Sequence, residues 1–418
     1  MLAFNQGGKG LFELFIQMKP NGDPTNMFPS DYNLPSQMKK VISTLCFPLA
    51  QNEYSKWEAT TYINHFEDPL HPNIESYYYI YIRYNVKPEG VMASCIVSRY
   101  LYPTLFFYIL QICSEKPESN ILSSYFNATL EKTNFDTIIV NGQDNKLPIY
   151  DGLSDQCQIA YFHKFFISNF PSYYIPLLMS LLFFESRIIV CSSSFKLLSH
   201  TILSICSFFY PLKIHVFAAP LVTVRDIERI PSDGLAVVGV HTTMLNKIFC
   251  SQDFNQNYIF FNADEPYITN KSKIAIPDRL YTEMDKFALD ITNLCLNTQP
   301  AFPAPFILKR IQAFVAQMIG IVFEIPQIDF QRVFSAFSKR VNKNDKTSDF
   351  VLARSTLLKL LIEQSSQEEI KSAFWEDVSG EIEMFGRTKS LSIRRVPIPK
   401  QSIDVTKKKS KQSHKGKK

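Results

Sequence analysis

The clearest hydrophobic pattern in the chain runs from Tyr173 to Thr243. Residues Ile175 to Phe184 form a nearly unbroken apolar block and predict a buried helix, and Ile188-Ile189-Val190-Cys191 reads as a buried strand. Ser192-Ser193-Ser194 interrupts the run, and a second helical pattern spans Phe195 to Tyr210 and stops at Pro211. Two further β-rich stretches follow, Ile214 to Phe217 and Leu235 to Val240. Strands this continuously apolar are buried on both faces, so the pattern is that of a sheet covered by helices on both sides.

Upstream, residues 9–17, with Leu11, Leu14 and Ile16, read as a first strand and Pro20 to Pro24 as a polar turn. Tyr77 to Tyr84 and Val91 to Ser98 are strands joined by a hairpin-like Lys87-Pro88-Glu89-Gly90. A helix is predicted from Thr104 to Ser114, then, past the break at Lys116 to Asn120, a short helix and a strand at Thr137 to Val140. Gly142, Pro148 and Gly152 place a linker over residues 142–155. Downstream, Tyr258 to Phe261 reads as another strand, Asn262 to Pro266 as a turn and Leu280 to Leu296 as a helix. Past a proline hinge at 298–305, Phe306, Ile307, Ile311, Phe314, Val315, Met318 and Ile319 recur at helical spacing, and Phe330 to Val341 and Phe350 to Ile362 repeat it. Four regions follow: an α/β block over 1–145, a second over 146–297, a helical block over 298–380, and a disordered basic tail over 381–418.

Composition adds three constraints. A chain of 418 residues suits two or three domains, each with its own core. The net charge of +5 is local: Lys407, Lys408, Lys409, Lys411, Lys415, Lys417 and Lys418 crowd the end, and without those seven the 44 basic residues fall to 37 against 39 acidic. A near-neutral body with a basic tail is unlike a nucleic-acid-binding face, so no nucleic acid is expected as a partner. The tail reads as a solvated run, a nuclear-type signal or a contact for anionic lipid, to which each Lys contributes about 1 kcal/mol. Arg387 stands three residues before Ser390, a spacing that basophilic kinases accept, and phosphate there would weaken such a contact. The eight Cys occur singly, with no CxxC pair, as expected of free thiols in a reducing cytoplasm. No secretory leader is read, since Lys9, Glu13 and Lys19 interrupt the start; the longest apolar run is half of the ~20 residues a membrane helix needs.

Candidate chemistry is sparse. Gly7-Gly8-Lys9-Gly10 does not complete a phosphate loop, no G-x-G-x-x-G follows a strand, and no cofactor is expected. There is no G-x-S-x-G nucleophile elbow, and Ser199 and His200 are helix neighbours whose side chains point ~100° apart. No H-E-x-x-H spacing exists, so no metal is expected. In open α/β sheets the loops beyond the strand C-termini gather binding groups. Here those loops carry Ser192, Ser193, Ser194, His241, Thr242, Thr243, Asp264 and Glu265. The plainer roles are a helix cap for the three serines and an ion pair for Glu185 with Arg187.

Two stretches carry a family resemblance. The segment from Tyr174 to Leu221, followed by Gly234-Leu235-Ala236-Val237-Val238-Gly239-Val240-His241-Thr242-Thr243, resembles the central module of DENN domains. There a helix leads into an "ERR-hydrophobic-S" strand, then a "YP" step, a "P-hydrophobic" strand and a "GVHSS"-like turn. Upstream, Phe28-Pro29, Cys46-Phe47-Pro48 and the phrase from Cys95 through Tyr102-Pro103 to Cys113 resemble the family's first module. The helical block over 298–380 stands where the family's third module would. Two positions depart from the pattern: Ser186 stands within Glu185-Ser186-Arg187, and Lys213 replaces an aromatic residue before Ile214.

The resemblance implies a bilobed α/β body, with a longin-like N-terminal lobe, a Rossmann-like central module and an all-helical C-terminal module. It implies guanine-nucleotide exchange on a Rab-type small GTPase in membrane traffic, with cytoplasmic or peripheral-membrane location and no covalent catalysis. The contact residues expected from strand-end position are Arg187, Ser192, Ser193, Ser194, His241, Thr242, Thr243, Asp264 and Glu265. Two alternatives stay open: a scaffold that only binds a GTPase, and a folliculin-like activator needing an exposed arginine, for which Arg83, Arg99 and Arg187 are candidates.

Overall fold

The computed structural model shows a mixed α/β protein, with two five-stranded and two two-stranded sheets among the described residues. It describes residues 11–49, 61–67, 77–87, 90–113, 119–127, 137–140, 143–146, 155–183, 186–208, 216–222, 230, 235–249, 258–269, 275–297, 307, 310, 311, 314 and 393–395. The basic run 407–418 and nearly all of 298–380 lie outside these residues.

The first sheet holds β1 (Leu14–Met18), β2 (Pro24–Phe28), β3 (Thr61–Glu67), β4 (Tyr77–Lys87) and β5 (Gly90–Ser98) in the order β2-β1-β5-β4-β3. Every neighbouring pair is antiparallel. Alternation along the strands feeds two cores. Leu14, Ile16, Ile80, Ile82, Cys95 and Val97 cluster with Met38, Ile42 and Cys46 of α1 (Ser36–Cys46). Phe15, Tyr79, Tyr81 and Ile96 cluster with Leu105, Phe106 and Ile109 of α2 (Pro103–Cys113). The predicted turn after β1 is present, and Gly22 there has φ +82°, a conformation that favours glycine.

The helix α3 (Ser119–Phe126) and the hairpin β6 (Thr137–Val140) and β7 (Gln143–Lys146) follow, so β7 occupies the start of the expected linker. Next come α4 (Asp155–Asn169), which the sequence pattern does not announce, α5 (Tyr174–Phe183), β8 (Arg187–Ser192) and α6 (Phe195–Ser207). The strand expected at Ile214 to Phe217 is found as β9 (Phe217–Ala219), and β10 (Ala236–His241) runs directly into α7 (Thr242–Phe249). Thr242 and Thr243, read as a turn, therefore open a helix. The chain continues through β11 (Tyr258–Asn262), β12 (Tyr267–Thr269), β13 (Ala275–Pro277) and α8 (Asp278–Asn297). Ile393–Arg395, inside the stretch read as disordered, pairs with β13 as β14.

The second sheet has the order β12-β11-β8-β10-β9. β8 is parallel to β10 and β11, β9 is parallel to β10, and only β12 is antiparallel. From β8 the chain moves through α6 to β9 on one side; from β10 it crosses through α7 to β11 on the other. The direction of winding thus reverses within this sheet, and the connections leaving the neighbouring strands β8 and β11 run in opposite directions.

The two sheets share α6. Ile63 N–H of β3 donates to Ser199 Oγ at 3.3 Å, and Asn64 Nδ2 donates to Leu221 O at 3.4 Å. Tyr62 stacks on Phe195 with ring centroids 5.1 Å apart. Buried residues of both sheets accordingly join one core. Of the amphipathic series beyond the proline hinge, Ile307, Ile311 and Phe314 are buried; Phe314 stacks on Phe287 at 4.3 Å, and Arg310 pairs with Asp290 at 2.9 Å. Among the described residues no helix is long and apolar enough to cross a membrane.

Candidate functional site

The parallel strands deliver Ser192, His241 and Asn262 to the same end of the second sheet, because β8, β10 and β11 run in one direction in near register. The loop after β11 turns back immediately, and this brings Asp264 beside the serines that follow β8. Ser192 Oγ donates to Asp264 Oδ1 at 2.6 Å, and Ser193 N–H donates to Asp264 Oδ2 at 2.7 Å. Asn262 Oδ1 accepts from Asp264 N–H at 3.0 Å, which shapes the turn that carries the carboxylate. Ser194 caps α6, its hydroxyl accepting from Leu197 N–H at 3.3 Å. The capping role expected of the serines therefore falls to Ser194, while Ser192 and Ser193 hold an acidic group.

His241 links the end of β10 to the chain just beyond β8. Its Nε2 lies 2.9 Å from Ser193 O, an acceptor only, so Nε2 carries the proton. Nδ1 is then left as acceptor for the Thr243 hydroxyl at 2.9 Å and the Thr243 N–H at 3.4 Å, and the ring helps to cap α7. Phe195 stacks on the same imidazole at 4.7 Å, which ties it through Tyr62 to the first sheet.

The cluster divides by exposure. Ser192 and His241 are buried, whereas Ser193, Thr243, Asp264 and Glu265 are exposed. Ser192 holds Asp264, His241 holds Ser193 and Thr243, and Asn262 Oδ1 accepts from Glu265 N–H at 3.4 Å. Arg187 stands apart from all of them: it begins β8, roughly 16 Å from Ser192 at strand rise, and lies over the Tyr258 ring at 5.0 Å. Its expected partner Glu185 is outside the described residues. Sequence reasoning missed Phe195 and Tyr62; Phe195 directly follows the serine loop, but nothing short-range marks Tyr62.

The arrangement offers surface and hydrogen bonds rather than a nucleophile. Burial, with Asp264 nearby, pushes the Cys191 thiol up to about 12, so it stays protonated. Ser199 and His200 do meet, at 3.3 Å, despite their ~100° offset. His200 Nδ1 also faces Lys196 O at 3.0 Å, an acceptor that fixes its proton there and leaves that nitrogen no basicity toward the serine. Among the described residues no three His, Cys, Asp or Glu side chains are grouped to hold a metal ion. Of the arginines considered for GTPase activation, Arg99 is engaged by Glu13 at 3.3 Å and by the Tyr78 ring at 5.1 Å, and Arg83 is half-buried on β4.

Asp264→Ala is expected to cost about 1–3 kcal/mol, because it removes a charge-assisted acceptor and leaves the buried Ser192 hydroxyl short of one partner. Urea unfolding of wild type and variant reads this directly; equal midpoints would show that the clamp contributes nothing. No family model matches the chain, and no curated protein matches it.

Proposed function

We propose that the protein is a DENN-type factor that binds the switch segments of a Rab-type GTPase and promotes release of GDP. What supports this reading is where the resembling residues fall. Phe28 closes β2, Cys46 closes α1, the Cys95 phrase runs from β5 into α2, and the two loops of the central phrase, at Ser192 and His241, end β8 and β10 side by side. On this reading the antiparallel sheet with its helices is the longin-like part, the parallel sheet is the Rossmann-like part, and residues 298–380 supply the helical module.

Exchange needs no covalent step. The factor binds a GTPase conformer that no longer holds Mg²⁺ and the phosphates better than it binds the GDP-loaded one, and that difference in affinity drives release. Ser193, Thr243, Asp264 and Glu265 form the polar, acidic rim that would meet the GTPase, with Ser192, His241 and Asn262 holding it from beneath. The Lys run at 407–418 would add attraction to an anionic membrane on which such a GTPase sits.

The test is release of fluorescent GDP from a panel of Rab GTPases with the full chain. Acceleration is expected for at least one, and Glu265→Lys is expected to reduce it about tenfold, the equivalent of 1.4 kcal/mol of contact energy. Capture without release would leave the scaffold alternative, and neither capture nor release would overturn the assignment. Activation of GTP hydrolysis has less support, since Arg99 and Arg187 are already engaged within the fold.

A further inference from the structure

We infer that Cys46 and Cys95 are a disulfide-forming pair, a redox modification site that joins the end of α1 to β5. The two sulfurs lie 3.3 Å apart, one on the last residue of α1 and the other at the middle of β5. Both side chains are fully buried and both are free thiols. Bond formation at ~2.0 Å asks each sulfur to move by less than 1 Å. The residues are 49 apart in sequence, so the bond closes a long loop around β3 and β4.

The immediate surroundings bear on how the pair reacts. Tyr84 donates its hydroxyl to Cys46 O, Tyr62 donates to Leu45 O, and the two phenol oxygens lie 2.8 Å from each other. These bonds hold the last turn of α1 against the sheet. Burial, and the neighbouring Cys95 thiol, hold Cys46 well above the usual thiol range, so Cys46 carries little thiolate in the folded chain. Oxidation therefore proceeds when that turn opens.

A small uncharged peroxide is the fitting oxidant. One thiol loses its proton, and the thiolate attacks a peroxide oxygen; the O–O bond breaks, leaving a sulfenic acid and hydroxide. The second thiolate attacks the sulfenic sulfur, the S–S bond forms, and hydroxide leaves. In sum the two thiols give up two electrons and two protons, and the peroxide becomes two waters. Tyr62 also stacks on Phe195, and Phe195 on His241, so a bond here fixes the first link of a ring series that ends at the strand-end cluster. The inference does not depend on the GTPase reading.

The experiment oxidises the reduced full-length protein with hydrogen peroxide, raised until methionines begin to oxidise. Remaining thiols are then alkylated and the unreduced peptides mapped by mass spectrometry. A peptide linking Cys46 to Cys95 is expected, with a rise in Tm of roughly 5–10 °C that a reductant reverses. Cys95→Ala should show neither, and the linked wild-type peptide stands as evidence even if that variant fails to fold. Linkage of Cys46 to a different cysteine, sulfinic acid at either position without a link, or two unchanged thiols beside oxidised methionines would each overturn the inference.

Discussion

Between pH 7 and pH 5 the protein is expected to lose about 4 kcal/mol of unfolding free energy to two buried histidines, His163 and His200. The first lies on α4 and the second on α6, both fully enclosed. His200 sits among the rings of Phe165 at 4.8 Å, Phe107 at 5.9 Å, and Tyr161 and Phe162 at 6.0 Å. Each histidine has a backbone carbonyl 3.0 Å from Nδ1, and each Nε2 is buried without a hydrogen-bond partner. A second proton would therefore enter an apolar space with nothing to receive it. Burial lowers His163 to about 4 and, with the Lys196 charge adding, His200 to about 3, against an ordinary value of 6.5.

Both rings are neutral in the folded and unfolded chain above pH 6.5. As pH falls below that value the unfolded chain takes up two protons that the folded one refuses, and stability falls by about 1.4 kcal/mol per pH unit for each ring until the folded pKa is approached. A loss of about 4 kcal/mol is a large part of the usual 5–15. Urea midpoints at pH 7 and pH 5 measure it. His200→Phe, which suits the aromatic surroundings, is expected to lose about 2 kcal/mol less over the same interval. If that variant keeps the whole acid loss, His200 is not one of the groups responsible.

Gly239→Ala is expected to destabilise the fold by about 3 kcal/mol or more. Gly239 lies at the centre of the parallel sheet, on β10, on the side that α6 covers. A methyl group there would stand 2.1 Å from Pro220 O, 2.6 Å from Ile202 Cδ1 and 2.9 Å from Leu198 Cγ. The side chains can shift, but the carbonyl belongs to a segment pinned by Val222 N–H, which donates to Gly239 O at 2.8 Å. Relief therefore requires moving backbone. Guanidinium unfolding of the variant is the measurement, and a change below about 1 kcal/mol would mean that residues 220–222 yield without cost.

The parts of the fold that the sequence reveals are those whose burial has a purely local signature. β8 and β10 are enclosed on both faces, so Ile188 to Cys191 and Leu235 to Val240 are unbroken apolar runs, and the helices α5 and α6 are apolar enough to stand out beside them. β2 and β3 lack that signature. Pro24–Phe28 is a largely exposed edge strand, and β3 places Asn64 inside, where its amide N–H donates to the distant Leu221 carbonyl. α4 hides for a related reason, because its buried His163 breaks the apolar stripe. The strand-end loops could be named from their position, but the bond from Ser192 to Asp264 spans 72 residues and has no trace in either local segment. Thr242 and Thr243 read as a turn because nothing in the sequence says that the preceding histidine ring would help to cap a helix.

The outer edge of β3 has a history as well as a partner. α6 supplies the cover that receives Ile63 N–H, yet Phe195 is synthesised 128 residues after Glu67. At ~5–20 residues per second a ribosome leaves that edge bare for roughly 6–26 s. During that interval an unpaired strand rim is free to recruit a neighbour's, and nascent chains held close on one message are the nearest source. Slow codons between β3 and α6 would lengthen the risk, so the order of assembly, as much as the finished contacts, bears on how much of this protein a cell recovers intact.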